Sequence, residues 1–200
     1  MVKLSKEALQ SPEELVATIG QTLFNLATST TSTTPAVPAI DRTCLWTASS
    51  EPAIDIRKYV SRIDTYFPWC PEAAIAMLIY LDRATVKVDF TRLNAHRLIF
   101  AAAVLALKYT VDVVPSNKQL APIGGLRLQE LNSLEVAFMN LVDHRLHVTV
   151  DEYHNAAQML RAAASGPAAA PKEAEEVVTA SPWQAEEMLA TDTPRCTLVA

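Results

Sequence analysis

Glycine is scarce in this sequence, with four glycines among 200 residues, against twelve prolines. Loops that cradle a nucleotide phosphate need clustered glycines, because the backbone must approach the phosphate without an intervening Cβ. Gly124 and Gly125 are adjacent, but neither a G-x-G-x-x-G nor a G-x-x-x-x-G-K-[ST] pattern is present. We therefore exclude the common nucleotide-binding folds. The low glycine content, beside many Ala and Leu residues, also argues against a turn-rich β-sandwich.

Positive charge and cysteine are also in short supply. The formal net charge is −5 and the pI is near 5.4, so the sequence has no electrostatic footprint for nucleic acid. The three cysteines, Cys44, Cys70 and Cys196, are too far apart for a disulfide framework or paired zinc ligands. Residues 1–20 lack the basic start and apolar core of a signal peptide. We expect an intracellular protein, in the cytoplasm, the nucleus or both.

Hydrophobic periodicity predicts an all-α protein in three parts. Residues 1–50 contain an amphipathic helix from Ser11 to Ala27 and then a Ser/Thr/Pro-rich linker. Residues 51–165 have the pattern of consecutive helices without one convincing strand. Residues 166–200 are rich in Ala, Pro and Glu, and we predict a mobile tail there.

The helices of the middle part are predicted from their apolar stripes. The third of them, roughly Arg92 to Tyr109, contains the uninterrupted apolar run Leu98–Leu107. A bilayer-spanning helix needs about 20 apolar residues, so we expect no membrane span and a helix surrounded by other helices. The stripes of the other helices are Ile56/Tyr59/Val60/Ile63/Phe67, then Ile75/Leu78/Ile79/Val86 after Pro71, and Leu128/Leu131/Phe138/Val142 after Arg127. Asp151 is the predicted cap of the last helix.

Two charged residues interrupt these apolar stripes. Glu135 lies at helical spacing between Leu131 and Phe138, and Lys108 follows Val104 by one helical turn. Burying an unpaired charge is costly, so each should have a partner. One interpretation is an internal salt bridge, or a charge that reaches water at a helix edge. The other is that Lys108 and Glu135 meet at a helix surface and bind a protein partner.

Asp82 is a third charge of this kind. It lies three residues past Ile79, on the predicted buried side of its helix. Arg62 on the preceding helix is the natural partner, so we predict a structural salt bridge between Asp82 and Arg62.

Several motifs together resemble the cyclin box. Ile79–Arg83 contains the "YLDR" signature, Ala101–Tyr109 resembles a central helix ending in Ala-x-Lys-Phe/Tyr, and Leu131–Glu135 resembles the Glu-bearing fifth helix. The finer pattern is closest to the phosphate-system (P-type) cyclins of fungi and protists. It comprises "N-x-H-R-L" at Asn94–Leu98, then Asn117, Gly124-Gly125 and "E-L-N-x-L-E" at Glu130–Glu135.

The resemblance implies a single five-helix cyclin box that binds and activates a cyclin-dependent Ser/Thr protein kinase, in cell-cycle control or phosphate signalling. It places the kinase-binding surface at Lys108 and Glu135, with Leu131, Phe138 and Val104 beside them. Such a subunit supplies no catalytic residue and needs no cofactor, metal, membrane or small-molecule substrate. The alternative from another class is a helical adaptor that has the cyclin fold but does not activate a kinase.

Two departures from the family pattern stand out. Animal cell-cycle cyclins carry a Met-Arg-Ala-Ile-Leu substrate-docking motif, which aligns here with Pro52–Ile56 and is not matched. The Arg that the family pairs with the Asp of "YLDR" aligns with Ala53, so Arg62 is expected to replace it. We also expect one box without the second helical repeat of larger cyclins.

Two other patterns have weaker functional interpretations. His144, His147 and His154 lie near acidic residues, but histidines at a helix C-terminus are commoner than a metal cluster, so we expect no metal site. Ser/Thr-Pro pairs begin at Ser11, Thr34, Ser181 and Thr193. Ser11 fits a helix cap, and we hypothesise that proline-directed kinases phosphorylate the other three.

Overall fold

A computed structural model describes residues 11–29, 43–67 and 70–164. Every regular element in these ranges is a helix, which confirms the predicted all-α fold class. The helices are α1 (Pro12–Ser29), α2 (Thr43–Trp46), α3 (Ile56–Tyr66), α4 (Pro71–Thr85), α5 (Ala95–Thr110), α6 (Asn117–Leu120), α7 (Leu128–Leu141) and α8 (Val150–Ala164). Most of the predicted linker, the predicted tail and the Ser/Thr-Pro pairs at Thr34, Ser181 and Thr193 lie outside the described residues.

Helix α5 is the centre of the fold. Each residue of the run Leu98–Leu107 is at most 5% exposed. Helices α3, α4 and α7 pack around it. A helix that is apolar on all sides is stable in water only when other helices cover it. The prediction of a central helix is therefore confirmed.

Helix α1 belongs to the same hydrophobic core. Leu15, Ile19 and Leu23 are buried in it, and the helix packs against α3 and α8. Its start is a capping box, in which the Ser11 hydroxyl accepts from the Glu14 amide and the Glu14 carboxylate accepts from the Ser11 amide. The helix continues through Ser29, two residues past the predicted end.

The burial predicted for the apolar stripes is confirmed for their central residues and is wrong for one end residue in each of two stripes. The whole α3 stripe, from Ile56 to Phe67, is buried. Val86, in contrast, is 83% exposed, because α4 ends at Thr85 and the chain turns there. Leu128 is 40% exposed at the first position of α7. Helical periodicity predicts the buried face reliably only for residues inside a helix, because residues at the two ends have packed neighbours on one side only.

The two adjacent glycines make the turn between α6 and α7, each for a different reason. A Cβ on Gly124 would lie 2.5 to 2.7 Å from atoms of the Phe100 ring, which is completely buried. Gly125 has a φ of +67°, in the left-handed region that glycine adopts without strain. The Gly124 carbonyl accepts a hydrogen bond from the Tyr59 hydroxyl at 3.1 Å. This turn thus fits tightly over the packed α3–α5 contact.

Helix α8 is capped two residues earlier than predicted. The Thr149 hydroxyl accepts from the Glu152 amide, and the Glu152 carboxylate accepts from the Thr149 amide and hydroxyl. Thr149, and not Asp151, is therefore the cap. Across the described ranges, none of the helices has the length and apolarity that a membrane span requires.

Candidate functional site

The sequence-predicted pair Lys108 and Glu135 does meet. The Lys108 Nζ donates a hydrogen bond to the Glu135 Oε1 at 2.5 Å. Lys108 lies in the last turn of α5, directly after the buried run, and Glu135 lies in the middle of α7. The Lys108 side chain remains 33% exposed and the Glu135 side chain 18% exposed. The pair therefore lies at the edge of the core, with its ammonium side reaching the surface.

Glu135 also has a second partner, which the spacing of the charged residues did not predict. The Asn117 side-chain amide donates to the Glu135 Oε2 at 2.7 Å and to the Asn132 Oδ1 at 2.8 Å. Asn117 is the first residue of α6, and Asn132 lies one turn before Glu135 on α7. Both carboxylate oxygens of Glu135 are thus occupied within the chain. We call Lys108, Glu135, Asn117 and Asn132 the polar cluster.

The three apolar residues predicted to bind a kinase beside this pair are inside the protein. Leu131, Phe138 and Val104 are each 0% exposed. Phe138 packs edge-on against Trp46, with 6.0 Å between the ring centroids. A completely buried side chain cannot contact a partner that docks on the surface, so the expectation of direct contact is wrong for these residues. They hold α5 and α7 in place beneath the polar cluster.

The predicted salt bridge between Asp82 and Arg62 is also wrong. Asp82 is exposed. The Arg62 guanidinium donates to the Pro122 carbonyl at 3.2 Å. The helical period had placed Asp82 on the buried side because it lies one turn after Ile79. The buried face of α4 is broad, and Asp82 falls just outside it.

The next residue, Arg83, is the one whose side chain is mostly buried and hydrogen-bonded within the chain. Its guanidinium donates to the Arg145 carbonyl at 2.5 Å, to the His147 carbonyl at 3.0 Å and to the Glu152 Oε1 at 2.7 Å. The Arg83 side chain is 12% exposed. The Thr149 amide, the Arg83 guanidinium and the Thr149 hydroxyl all donate to the Glu152 carboxylate and lower the pKa of Glu152 to about 2. Arg83 therefore ties the chain between α7 and α8 to α4.

Tyr80 supports the same attachment from one turn away. Its hydroxyl donates to the Leu146 carbonyl at 2.7 Å, and burial raises the pKa of Tyr80 to about 12. Three residues of the "YLDR" segment thus have structural roles. Tyr80 and Arg83 hold the α7–α8 connection, and Leu81 lies in the core.

The "N-x-H-R-L" segment at the start of α5 joins three parts of the fold. Asn94 is buried; its amide donates to the Asp89 carbonyl and its Oδ1 accepts from the Thr91 amide. The His96 Nε2 lies 2.8 Å from the Ile54 carbonyl, and burial lowers the pKa of His96. Arg97 donates through Nε and Nη2 to the Glu130 Oε1, at 3.1 and 2.9 Å. Asn94 thus holds the loop before α5, His96 contacts the segment before α3, and Arg97 joins α5 to α7.

The segment aligned with the animal docking motif is occupied by contacts within the chain. Asp55 caps α3 and pairs with Arg57, and the Arg57 guanidinium, together with a backbone amide, lowers the pKa of Asp55. The same guanidinium lies 4.3 Å from the centroid of the Phe24 ring of α1. This arrangement links α1 to the start of α3.

The histidines near the α7–α8 connection do not form a metal centre in the described ranges. No group of three or more His, Cys, Asp or Glu residues is close enough there to hold a metal ion. His144 has a φ of 57°, in the left-handed region, and follows Asp143, which has a φ of 54°. Lys87 holds this turn through a hydrogen bond of 2.7 Å to Asp143.

Comparison with known proteins identifies the family. The Cyclin family model matches residues 13–146, which is more than half of the chain. The chain therefore belongs to the cyclin family. The match begins inside α1, in agreement with the packing of that helix into the common core.

Fungal and plant cyclins are among the curated proteins that this chain resembles. The PHO85 cyclin-like protein psl1 of Schizosaccharomyces pombe is 34% identical over 112 residues, which cover 54% of this chain and 46% of that protein. PHO85 cyclin-7 of Saccharomyces cerevisiae is 31% identical over 123 residues, covering 54% and 43%. Cyclin-U4-1 of Arabidopsis thaliana is 27% identical over 157 residues, covering 77% of each chain. The chain spans about half the length of the two fungal relatives.

Proposed function

We propose that this chain binds and activates a cyclin-dependent Ser/Thr protein kinase, through a surface centred on Lys108 and Glu135. The observation that carries the proposal is their position. Directly after an apolar run that is entirely buried, the last turn of α5 carries a partly exposed lysine that is paired with a carboxylate of α7. Membership of the cyclin family and the names of the fungal relatives support a kinase as the partner.

The physical role of the pair is to define the register of docking. Apolar contact alone allows a partner helix to slide, whereas a charged group at one point favours a single position. A kinase is activated when the glutamate of its regulatory helix pairs with its ATP-binding lysine. A chain that fixes the position of that helix therefore activates the kinase without a catalytic residue, cofactor or small-molecule substrate of its own.

The cellular role that we propose is cell-cycle control or phosphate signalling inside the cell. The support is the similarity to proteins named PHO85 cyclins and to plant cyclins of the U type.

The test is purification with candidate kinases, followed by a kinase assay with and without the chain. We expect one kinase to bind and to gain activity. Lys108→Glu and Glu135→Lys should each lose binding and activation. Matched charge reversals at exposed positions away from the pair, Lys58→Glu on α3 and Glu72→Lys on α4, should retain both.

The outcomes separate the candidate functions. A kinase that binds without gaining activity supports the non-activating adaptor. Unchanged binding and activation by the Lys108 and Glu135 variants contradict the proposed site. If wild-type chain captures none of the cyclin-dependent kinases, the proposed function itself is wrong.

A further inference from the structure

In the polar cluster, the nitrogen and the oxygen of the Asn117 side chain differ in their hydrogen bonding. Both hydrogens of the Asn117 amide nitrogen have acceptors, the Glu135 Oε2 and the Asn132 Oδ1. The Asn117 Oδ1, in contrast, is buried without a hydrogen-bond partner. A buried acceptor without a donor lowers the stability of the folded chain. This unfavourable environment occurs where the side-chain nitrogen of Asn117 binds the Glu135 carboxylate.

The chemistry of the neighbours determines which way the amide points. An ionised carboxylate only accepts hydrogen bonds, so the atom facing Glu135 must be a donor. Exchanging the nitrogen and oxygen of Asn117 would place two acceptors against each other at 2.7 Å. The orientation with the nitrogen toward Glu135 is therefore the stable one.

Helix α6 is built so that Asn117 is held firmly. Ser116 and Gln119 form a capping box, with the Ser116 amide and hydroxyl donating to the Gln119 Oε1. Leu120 is completely buried and anchors the other end of α6. A four-residue helix closed at both ends offers Asn117 from a rigid element and not from a loose loop.

We propose that Asn117 is a positioning residue for kinase binding, which fixes the Glu135 carboxylate so that this carboxylate in turn holds Lys108 at the surface. The inference rests on the proposed function. Lys108 and Asn117 bind the two different oxygens of Glu135, so the carboxylate cannot rotate without losing one of them. Without Asn117, the carboxylate is free to turn, and the Lys108 ammonium loses its fixed position.

The test measures kinase affinity for a set of full-length variants. Asn117→Ala removes the donor and is expected to weaken binding about tenfold, as for the loss of one charge-assisted hydrogen bond. Asn117→Asp is nearly the same size, keeps a residue favoured in the first turn of a helix, and places a second carboxylate against Glu135. It should weaken binding more than Asn117→Ala. Asn155→Ala, the same change at an exposed position of α8, should leave the affinity unchanged.

A double variant separates positioning from a general loss of structure. Asn117→Asp combined with Glu135→Gln exchanges donor and acceptor, because the new glutamine amide donates to the new carboxylate. If Asn117 acts through residue 135, the double variant binds more tightly than Asn117→Asp alone. A merely structural role predicts that the loss of affinity in the double variant equals the sum of the losses measured for Asn117→Asp alone and for Glu135→Gln alone. The urea unfolding midpoint of each variant is measured beside its affinity, so that binding is compared among folded proteins.

Each result decides the inference. Wild-type affinity for Asn117→Ala and Asn117→Asp overturns it while the proposed function stands. Additive losses in the double variant overturn it in the same way. Absence of kinase binding by the wild-type chain instead overturns the proposed function, and the inference with it.

Discussion

The Lys108 ammonium and the Glu135 carboxylate join the end of α5 to the middle of α7, with 2.5 Å between Nζ and Oε1. The two residues are 27 positions apart in the chain. Beneath them the core is closed, since Val104 and Leu131 are completely buried. The pair is thus a small polar feature on a rigid apolar support, which is a suitable geometry for recognition by another protein.

The first prediction separates the effect of this pair on stability from its effect on binding. Lys108→Glu places two carboxylates together and should lower the free energy of unfolding by about 1 kcal/mol, because the pair is partly exposed. Adding Glu135→Lys restores the opposite charges and should recover at least part of that loss. Kinase binding should not recover, because the charge presented to the partner stays reversed. Urea unfolding and affinity, measured on the same samples, test both statements; recovered binding would contradict the docking role.

The second prediction compares two neighbours on α4. Arg83→Ala leaves two carbonyls and the Oε1 of Glu152 without the donor that Arg83 supplies, and should destabilise the fold by about 2–4 kcal/mol. Asp82→Ala removes an exposed side chain and should leave the unfolding midpoint unchanged. Equal midpoints for the two variants would show that the arrangement of α4 described above is incorrect.

The third prediction concerns the glycine turn. Gly124→Ala forces a methyl group into the buried Phe100 ring and should cost about 1–3 kcal/mol. Gly125→Ala meets no atom within 4 Å but keeps a left-handed backbone, and should cost about 1 kcal/mol. Chemical denaturation of the two variants gives the comparison. A larger loss for Gly125→Ala would mean that backbone conformation, and not the space at Phe100, limits this turn.

The fourth prediction is a pH dependence due to His96. Burial lowers its pKa in the folded chain below the ordinary value of 6.5. As the pH falls, the unfolded chain takes up the proton first, so the stability contributed by neutral His96 is present above 6.5 and is lost below it. The thermal unfolding midpoint should therefore decrease between about pH 7.5 and 5.5.

The control for that prediction is a second histidine. His96→Gln retains a donor for the Ile54 carbonyl and should reduce the pH dependence. His154→Gln, at an exposed position of α8, should leave it unchanged. An equal slope for wild type and His96→Gln would assign the pH dependence to other groups.

Local spacing predicted the helices and marked Lys108 and Glu135 as charged residues within apolar stripes, while the resemblance to the cyclin box implied that the two act together. The apolar run of α5 must be buried wherever it lies, and Lys108 and Glu135 each broke a regular stripe. The same reasoning failed for Asp82 and Arg62. Because the buried face of α4 is wide, a residue one helical turn after Ile79 can lie either inside this face or beyond its edge. The resemblance to the cyclin box placed Leu131, Phe138 and Val104 in a binding surface, whereas their spacing indicated only burial.

Other contacts had no signal in the spacing of apolar residues. Asn117 is polar and lies in a four-residue helix, so no periodicity marks it as a neighbour of Glu135. Arg83 reaches carbonyls of a connection more than 60 positions away, and a carbonyl carries no side-chain identity to recognise. The family motif included Asn117 and Arg83 as letters, but only the folded arrangement gives them roles.

A kinase that docks at the proposed surface should cover Lys108, and chemical footprinting of lysines measures this contact. The free chain and its kinase complex are treated briefly with an amine-acetylating reagent, and modification of each lysine is quantified by mass spectrometry. We expect strong protection of Lys108 in the complex and unchanged modification of Lys58 on α3. Equal modification of Lys108 in the free and bound states would show that the kinase does not dock at this residue.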